Sequence, residues 1–127
     1  MIEGLGIDVV NIDRFADSLE RTPQLKSRLF TEREQLLPIT SLAARFAAKE
    51  ALSKAMRTGF REPMSWHGVQ LLNQDNGMPY FLFNETLSSW FGERGLVAHV
   101  SISDEKEYAL AFVILETSAA SLVMSEK

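Results

Sequence analysis

Between Ser41 and Gly59 the chain offers one long, unbroken helix, and everything else must be built around it. The segment contains Ala43, Ala44, Ala47, Ala48, Ala51 and Ala55, and alanine is the strongest helix former. Thr40 or Ser41 is expected to cap it, it should run to about Thr58, and Gly59 stands where a left-handed C-cap belongs. Ala, Leu, Phe and Met cover most of its circumference, so the helix is expected to be central to the fold. Its charges are concentrated. From Ser41 to Arg61 there are five basic residues, Arg45, Lys49, Lys54, Arg57 and Arg61, against a single acid, Glu50. At about 100° per residue, Glu50, Lys54 and Arg57 share one sector of the helix surface.

That basic window sits in a chain of net charge −4, so it suits a small, confined anion better than a long polyanion. Nucleic acid is not the expected partner. With no cysteine, neither a disulfide framework nor a thiolate metal site can form. Glu3 and Asp8 interrupt the first apolar run, which speaks against a signal peptide, and no stretch is apolar over the roughly 18 residues a membrane helix needs. A cytoplasmic protein without a membrane segment is expected. The 127 residues suit a single domain, 1–127, with about 117–127 as a possible flexible tail rich in Ser and Ala.

Flanking the long helix, Ile2–Ile12 reads as a strand, in which Gly4 and Gly6 predict a bulge or a close backbone approach. Asn11 can cap a following helix that carries Phe15 and Leu19, and a second short helix fits residues 23–29. Thr31-Glu32-Arg33-Glu34 has the form of a capping box, with Pro38 ending whatever it starts. Strands are predicted at 69–73, 80–83, 97–103 and 108–116. Asp75-Asn76-Gly77 marks a turn, and Asn84 caps a helix to about Phe91. The class is α+β, a small antiparallel sheet with a long central helix.

Two carboxylates stand out. Asp8 lies within Gly-Ile-Asp-Val-Val, where a charge is costly unless it is paired or binds a metal. A structural ion pair or a water-facing edge strand would also explain it. Glu50 has its own ordinary explanation, an i,i+4 pair with Lys54. If strand and helix pack together, however, the two acids form an oxygen pair of the kind Mg²⁺ uses, and Lys54 and Arg45 are placed to meet phosphate. His67 and His99 have no metal-like spacing, and Ser101 and Ser103 alternate with Val100 and Ile102 as in a half-buried strand.

Three blocks, in order and at the right spacing, resemble the holo-[acyl-carrier-protein] synthase family, the small phosphopantetheinyl transferases. They are Gly6-Ile7-Asp8-Val9-Val10 with Ile12, Arg14 and Phe15; Arg45-Phe46-Ala47-Ala48-Lys49-Glu50-Ala51 with Lys54-Ala55 and Thr58-Gly59; and His99-Val100-Ser101-Ile102-Ser103 with Tyr108-Ala109 and Ala111. Asn76-Gly77-Met78-Pro79 adds a weaker fourth, and the resemblance covers about Ile2 to Glu116.

The resemblance implies the 4′-phosphopantetheinyl transferase fold, a homotrimer with active sites between subunits, Mg²⁺, and transfer of 4′-phosphopantetheine from coenzyme A to a serine of apo acyl carrier protein. The products would be holo carrier protein and adenosine 3′,5′-bisphosphate, in support of fatty acid or polyketide synthesis. By motif position, Asp8 and Glu50 match the metal ligands and Lys54 a basic catalytic partner. Arg45, Lys54, Thr58, Gly59, Asn76, Gly77 and Pro79 match coenzyme A contacts, and Arg14 a carrier-protein contact. Two departures stand against the pattern. Asp104 replaces the histidine the family usually carries after Ser103, which makes Asp104 a candidate proton acceptor. Arg57 replaces a glycine. These departures motivate an alternative, a coenzyme A or carrier-protein binding module without catalysis.

Overall fold

A computed structural model describes residues 1–118 of the chain. The elements follow in the order β1 (Ile2–Asn11), α1 (Ile12–Arg21), α2 (Pro23–Leu29), a 3₁₀ turn (Glu34–Leu36) and α3 (Ile39–Met56). After these come β2 (Val69–Asn73), β3 (Pro79–Phe83), α4 (Glu85–Arg94), β4 (Leu96–Asp104) and β5 (Tyr108–Thr117). The strands form two antiparallel groups, a three-stranded sheet ordered β1-β5-β4 and the β2-β3 hairpin. This is the α+β arrangement the sequence leads one to expect, with α3 packed on the inner face of the sheet. The expected tail lies outside the described residues except for its first two. Of these, Thr117 ends β5 by donating its N–H to the Met1 carbonyl at 2.9 Å. Among the described residues no helix is long and apolar enough to cross a membrane.

β1 and α3 approach each other closely. A Cβ built on Gly4 would run into the backbone carbonyl of Ala55, and one on Gly6 into that of Ala51. Strand and helix therefore meet backbone to backbone, with alanine on the helix and no side chain on the strand. The expected bulge is also present, as a register shift between Ile2 and Gly4. Along β1, Gly4, Gly6 and Val10 turn inward and are buried, while Leu5, Ile7 and Val9 turn outward. Asp8 falls on the inward set and is half-buried.

Local signals of the sequence are realised where they are self-contained. Asn11 caps α1 by accepting from the Arg14 N–H at 2.9 Å, and Asn84 caps α4 by accepting from the Leu87 N–H at 2.9 Å. The capping box closes in both directions: Thr31 N–H donates to Glu34 at 3.0 Å and Glu34 N–H to Thr31 Oγ1 at 3.3 Å. It starts only a 3₁₀ turn, because Leu37, held extended before Pro38, stops the helix. The helix α4 extends beyond the expected Phe91 to Arg94, where Gly95 closes it with φ 62°.

Both ends of α3 differ from expectation. It begins at Ile39 after Pro38, so Thr40 and Ser41 lie inside the first turn and neither caps it. It stops at Met56, because Arg57 adopts a left-handed conformation with φ 64° and ψ 19°. Gly59 is left-handed as well, but two residues beyond the cap. The place where the family pattern reads glycine is thus a position whose backbone asks for glycine.

Candidate active site

Gly6 faces the Ala51 carbonyl and Gly4 that of Ala55, so two strand residues advance against four helix residues. The matching rises, about 6.6 Å and about 6 Å, keep the two elements in step. The next inward residue of β1 is Asp8, and the residue preceding Ala51 is Glu50. Side-chain-free packing at Gly6 therefore delivers the two carboxylates to one place.

Asp8 and Glu50 line a single cavity of about 620 Å³, together with Arg14 and Phe15 of α1, Phe46 of α3 and Trp66 of the loop before β2. Lys54, half-exposed, donates to Asp8 Oδ1 at 3.1 Å and to the Ile7 carbonyl at 3.0 Å. The i,i+4 pair expected between Glu50 and Lys54 is thus redirected across the contact to Asp8. Burial pushes the Glu50 carboxyl above its ordinary range, the Asp8 charge pushes it further, and Lys54 offsets part of this. A carboxyl held up by a second carboxylate is a site that a cation would relieve.

Among the described residues no three His, Cys, Asp or Glu side chains gather as a metal cluster. Two carboxylates do converge, and a two-carboxylate oxygen set completed by phosphate and water is what Mg²⁺ accepts. The residues present fit that ion.

The other expected residues lie in separate places. Arg45 reaches from α3 toward the β2-β3 hairpin, donating to Asn73 Oδ1 at 3.4 Å and to the Ser41 carbonyl at 3.3 Å. Its Nε is buried without a partner, and burial lowers the guanidinium pKa, which Glu34 partly counters. Asn73 in turn donates to the Gly77 carbonyl at 3.0 Å, so Arg45 and the Asn76-Gly77-Met78-Pro79 turn share one network. Gly77 has φ 89°, which the turn requires. Thr58 and Gly59 lie past the opposite end of α3, where Thr58 Oγ1 donates to the Gly59 carbonyl at 2.8 Å. From Arg45 to the end of α3 is about 16 Å at helical rise. Asp104 is exposed at the end of β4, opposite Ala109, and is not among the residues lining the cavity. The histidines have local partners, His67 the Ser27 carbonyl and His99 Glu116, each at 2.7 Å.

Over residues 4–113 the chain matches the 4′-phosphopantetheinyl transferase superfamily. It is 48% identical, over 91% of its length and 98% of the relative's, to a holo-[acyl-carrier-protein] synthase of Leifsonia xyli. The chain belongs to the holo-[acyl-carrier-protein] synthase family.

Solved members of the family agree in shape. The enzyme of Neisseria meningitidis superposes with a TM-score of 0.85 at 36% identity, covering 91% of this chain and 99% of that one. The enzyme of Bacillus anthracis, solved in complex with CoA (3′,5′-ADP), superposes with a TM-score of 0.77 at 34% identity, covering 93% and 99%. The three ordered blocks of the sequence are thus those of this family. Sequence reasoning passed over the aromatic wall of the cavity. Phe46 and Trp66 stack at 5.4 Å and Trp66 and Phe60 at 3.6 Å between centroids. The i, i+3, i+4, i+7 series Asn11, Arg14, Phe15 and Ser18, all lining the cavity, was the signal available for α1.

Proposed function

We propose that this protein transfers the 4′-phosphopantetheine group of coenzyme A to a serine of apo acyl carrier protein, releasing adenosine 3′,5′-bisphosphate. One catalytic domain carries the reaction. The observation that carries the reading is the convergence of Asp8 and Glu50 in a cavity that also presents Arg14.

Asp8 and Glu50 would hold Mg²⁺, which when bound neutralises and orients the diphosphate of coenzyme A. Lys54, anchored on Asp8, stands beside the place where charge builds on the transferred phosphate, and its ammonium stabilises that charge. Arg14 offers a cation at the cavity mouth to an acidic carrier protein. The partly apolar wall of Phe15, Phe46 and Trp66 keeps bulk water from the phosphate, which favours serine over water as the attacking hydroxyl. Arg45, Thr58, Gly59, Asn76, Gly77 and Pro79 bind coenzyme A.

These coenzyme A residues lie at both ends of α3, which supports a site completed by a second copy of the chain. A homotrimer fits this. Leu5, Ile7 and Val9 are 57%, 51% and 54% exposed on the outer face of β1. They stand in register with Ile114, Phe112 and Leu110 of β5, making an apolar sheet face that a second copy would cover. Asp104, outside the cavity of its own chain, serves as proton acceptor only in such a shared site.

The test is the mass of an apo carrier protein after incubation with enzyme, coenzyme A and Mg²⁺. A gain of one phosphopantetheine is expected. Coenzyme A binding with no mass gain under any divalent cation would leave only a binding module. Light scattering tests the assembly, and Ile7→Glu is expected to reduce the trimer to monomers.

A further inference from the structure

Lys49 is fully buried, at 0% side-chain exposure, one residue before Glu50. Its ammonium makes three hydrogen bonds: to Glu34 Oε1 at 2.8 Å, to the Leu29 carbonyl at 2.9 Å and to the Trp66 carbonyl at 2.7 Å. The charge also lies 5.3 Å from the centre of the Phe30 ring. Each acceptor belongs to a different segment: the end of α2, the 3₁₀ turn, and the loop before β2. Two of the three, Leu29 and Trp66, line the cavity that Asp8 and Glu50 share.

Stability alone gives little reason for this arrangement. Removing a lysine and a glutamate from water is costly, and an apolar pair of similar volume is often as stable or more so. Glu34 Oε2 is even left buried without a partner. What an apolar side chain lacks is donors. An ammonium has three, and here all three are used to fix separate segments against α3.

Resting on the transfer reaction proposed above, we propose that Lys49 is a positioning residue. Its ammonium holds Leu29 and Trp66, and with them the aromatic wall, in fixed register with Glu50. It acts through these residues and does not touch the substrate.

Single removal of either charge would leave the other buried and unpaired, so the informative variant is the double substitution Lys49→Met with Glu34→Leu. It is expected to unfold cooperatively, at a somewhat lower temperature than the wild type, since the Leu29 and Trp66 carbonyls and the Thr31 N–H lose their partners. Its kcat/KM for the apo carrier protein should fall about tenfold or more, since small displacements of positioning groups have effects of that size. Trp66 emission, read without substrate in a Trp90→Phe background, should shift to the red as the ring leaves its stack. Glu34→Gln keeps an oxygen for the Lys49 ammonium but leaves its charge unpaired, so it should melt at a lower temperature. Below that temperature the bonds to Leu29 and Trp66 persist, and turnover and emission should stay near wild type, whether or not the double variant folds. A folded double variant with wild-type kinetics and emission overturns the proposal, and so does Glu34→Gln that shows, below its melting temperature, the red-shifted emission expected of the double variant. An inactive wild-type protein would instead refute the transfer reading, while the emission measurements would still decide whether Lys49 holds the wall.

Discussion

Substituting Gly6 by alanine tests the link between packing and site directly. An alanine Cβ would lie inside the contact distance of the Ala51 carbonyl oxygen and carbon and of the Ala55 nitrogen. All three atoms are backbone, so no side-chain rotation can relieve the clash, and β1 and α3 must separate. Overpacking of a well-filled core costs about 1–3 kcal/mol, and a clash confined to backbone belongs at the upper end, about 3 kcal/mol. For a chain of this size that lowers Tm by roughly 10–15 °C. The same separation draws Asp8 away from Glu50, so transfer activity should fall more than stability predicts, even well below the melting temperature. Thermal unfolding by circular dichroism and the carrier mass assay read the two effects separately. Gly92→Ala is the control, since a Cβ there meets nothing within 4 Å. As a helix-interior glycine it should gain about 0.5–1 kcal/mol on substitution. If Gly6→Ala matched wild type in both Tm and activity, backbone contact would not be what unites the two carboxylates.

Arg57→Gly should stabilise the protein by about 0.5–1 kcal/mol, because relief of a left-handed backbone exceeds glycine's greater freedom when unfolded. An unchanged or lower denaturation midpoint in urea would contradict this. Asp8→Asn should abolish most transfer while preserving the fold; full activity would remove Asp8 from the metal site. Glu50 supplies a pH dependence. Its folded pKa is raised by burial and by Asp8, so its contribution to stability is present below the ordinary carboxylate range and lost as pH rises through the raised value. Glu50→Gln should therefore raise Tm relative to wild type at neutral pH without metal, with the gap closing on acidification. A gap that widened in acid would reverse the assignment.

What the sequence made legible was what a few neighbouring residues decide among themselves. Asn11, Asn84 and the Thr31–Glu34 box are closed by groups three residues away, and each was readable. Asp8 and Glu50 were readable as anomalies, because a charge among branched apolar residues and an acid among cations both call for a partner. Their meeting was not, since it depends on how strand and helix are phased. Lys49 was hidden for the opposite reason. A lysine on a helix usually reaches water, and only the return of residues 29–34 and 66 over α3 encloses it. Arg57 showed as a break in a motif, but its left-handed backbone became visible only when the helix ended there.

The alternation of β1 has a consequence for how such a protein can change over evolutionary time. Outward Leu5, Ile7 and Val9 and inward Gly4, Gly6 and Asp8 are separated by a single step of the chain. Inserting or deleting one residue between Gly6 and Asp8 exchanges the two sets beyond the lesion. The carboxylate would then point away from the cavity while a branched apolar side chain took its place. Exchanges of one apolar side chain for another at the outward positions can be absorbed one at a time, but a change in the strand's length cannot. Length variation among relatives is therefore expected in the loops and at the far end of the hairpin, and the spacing from Gly6 to Asp8 should be held constant.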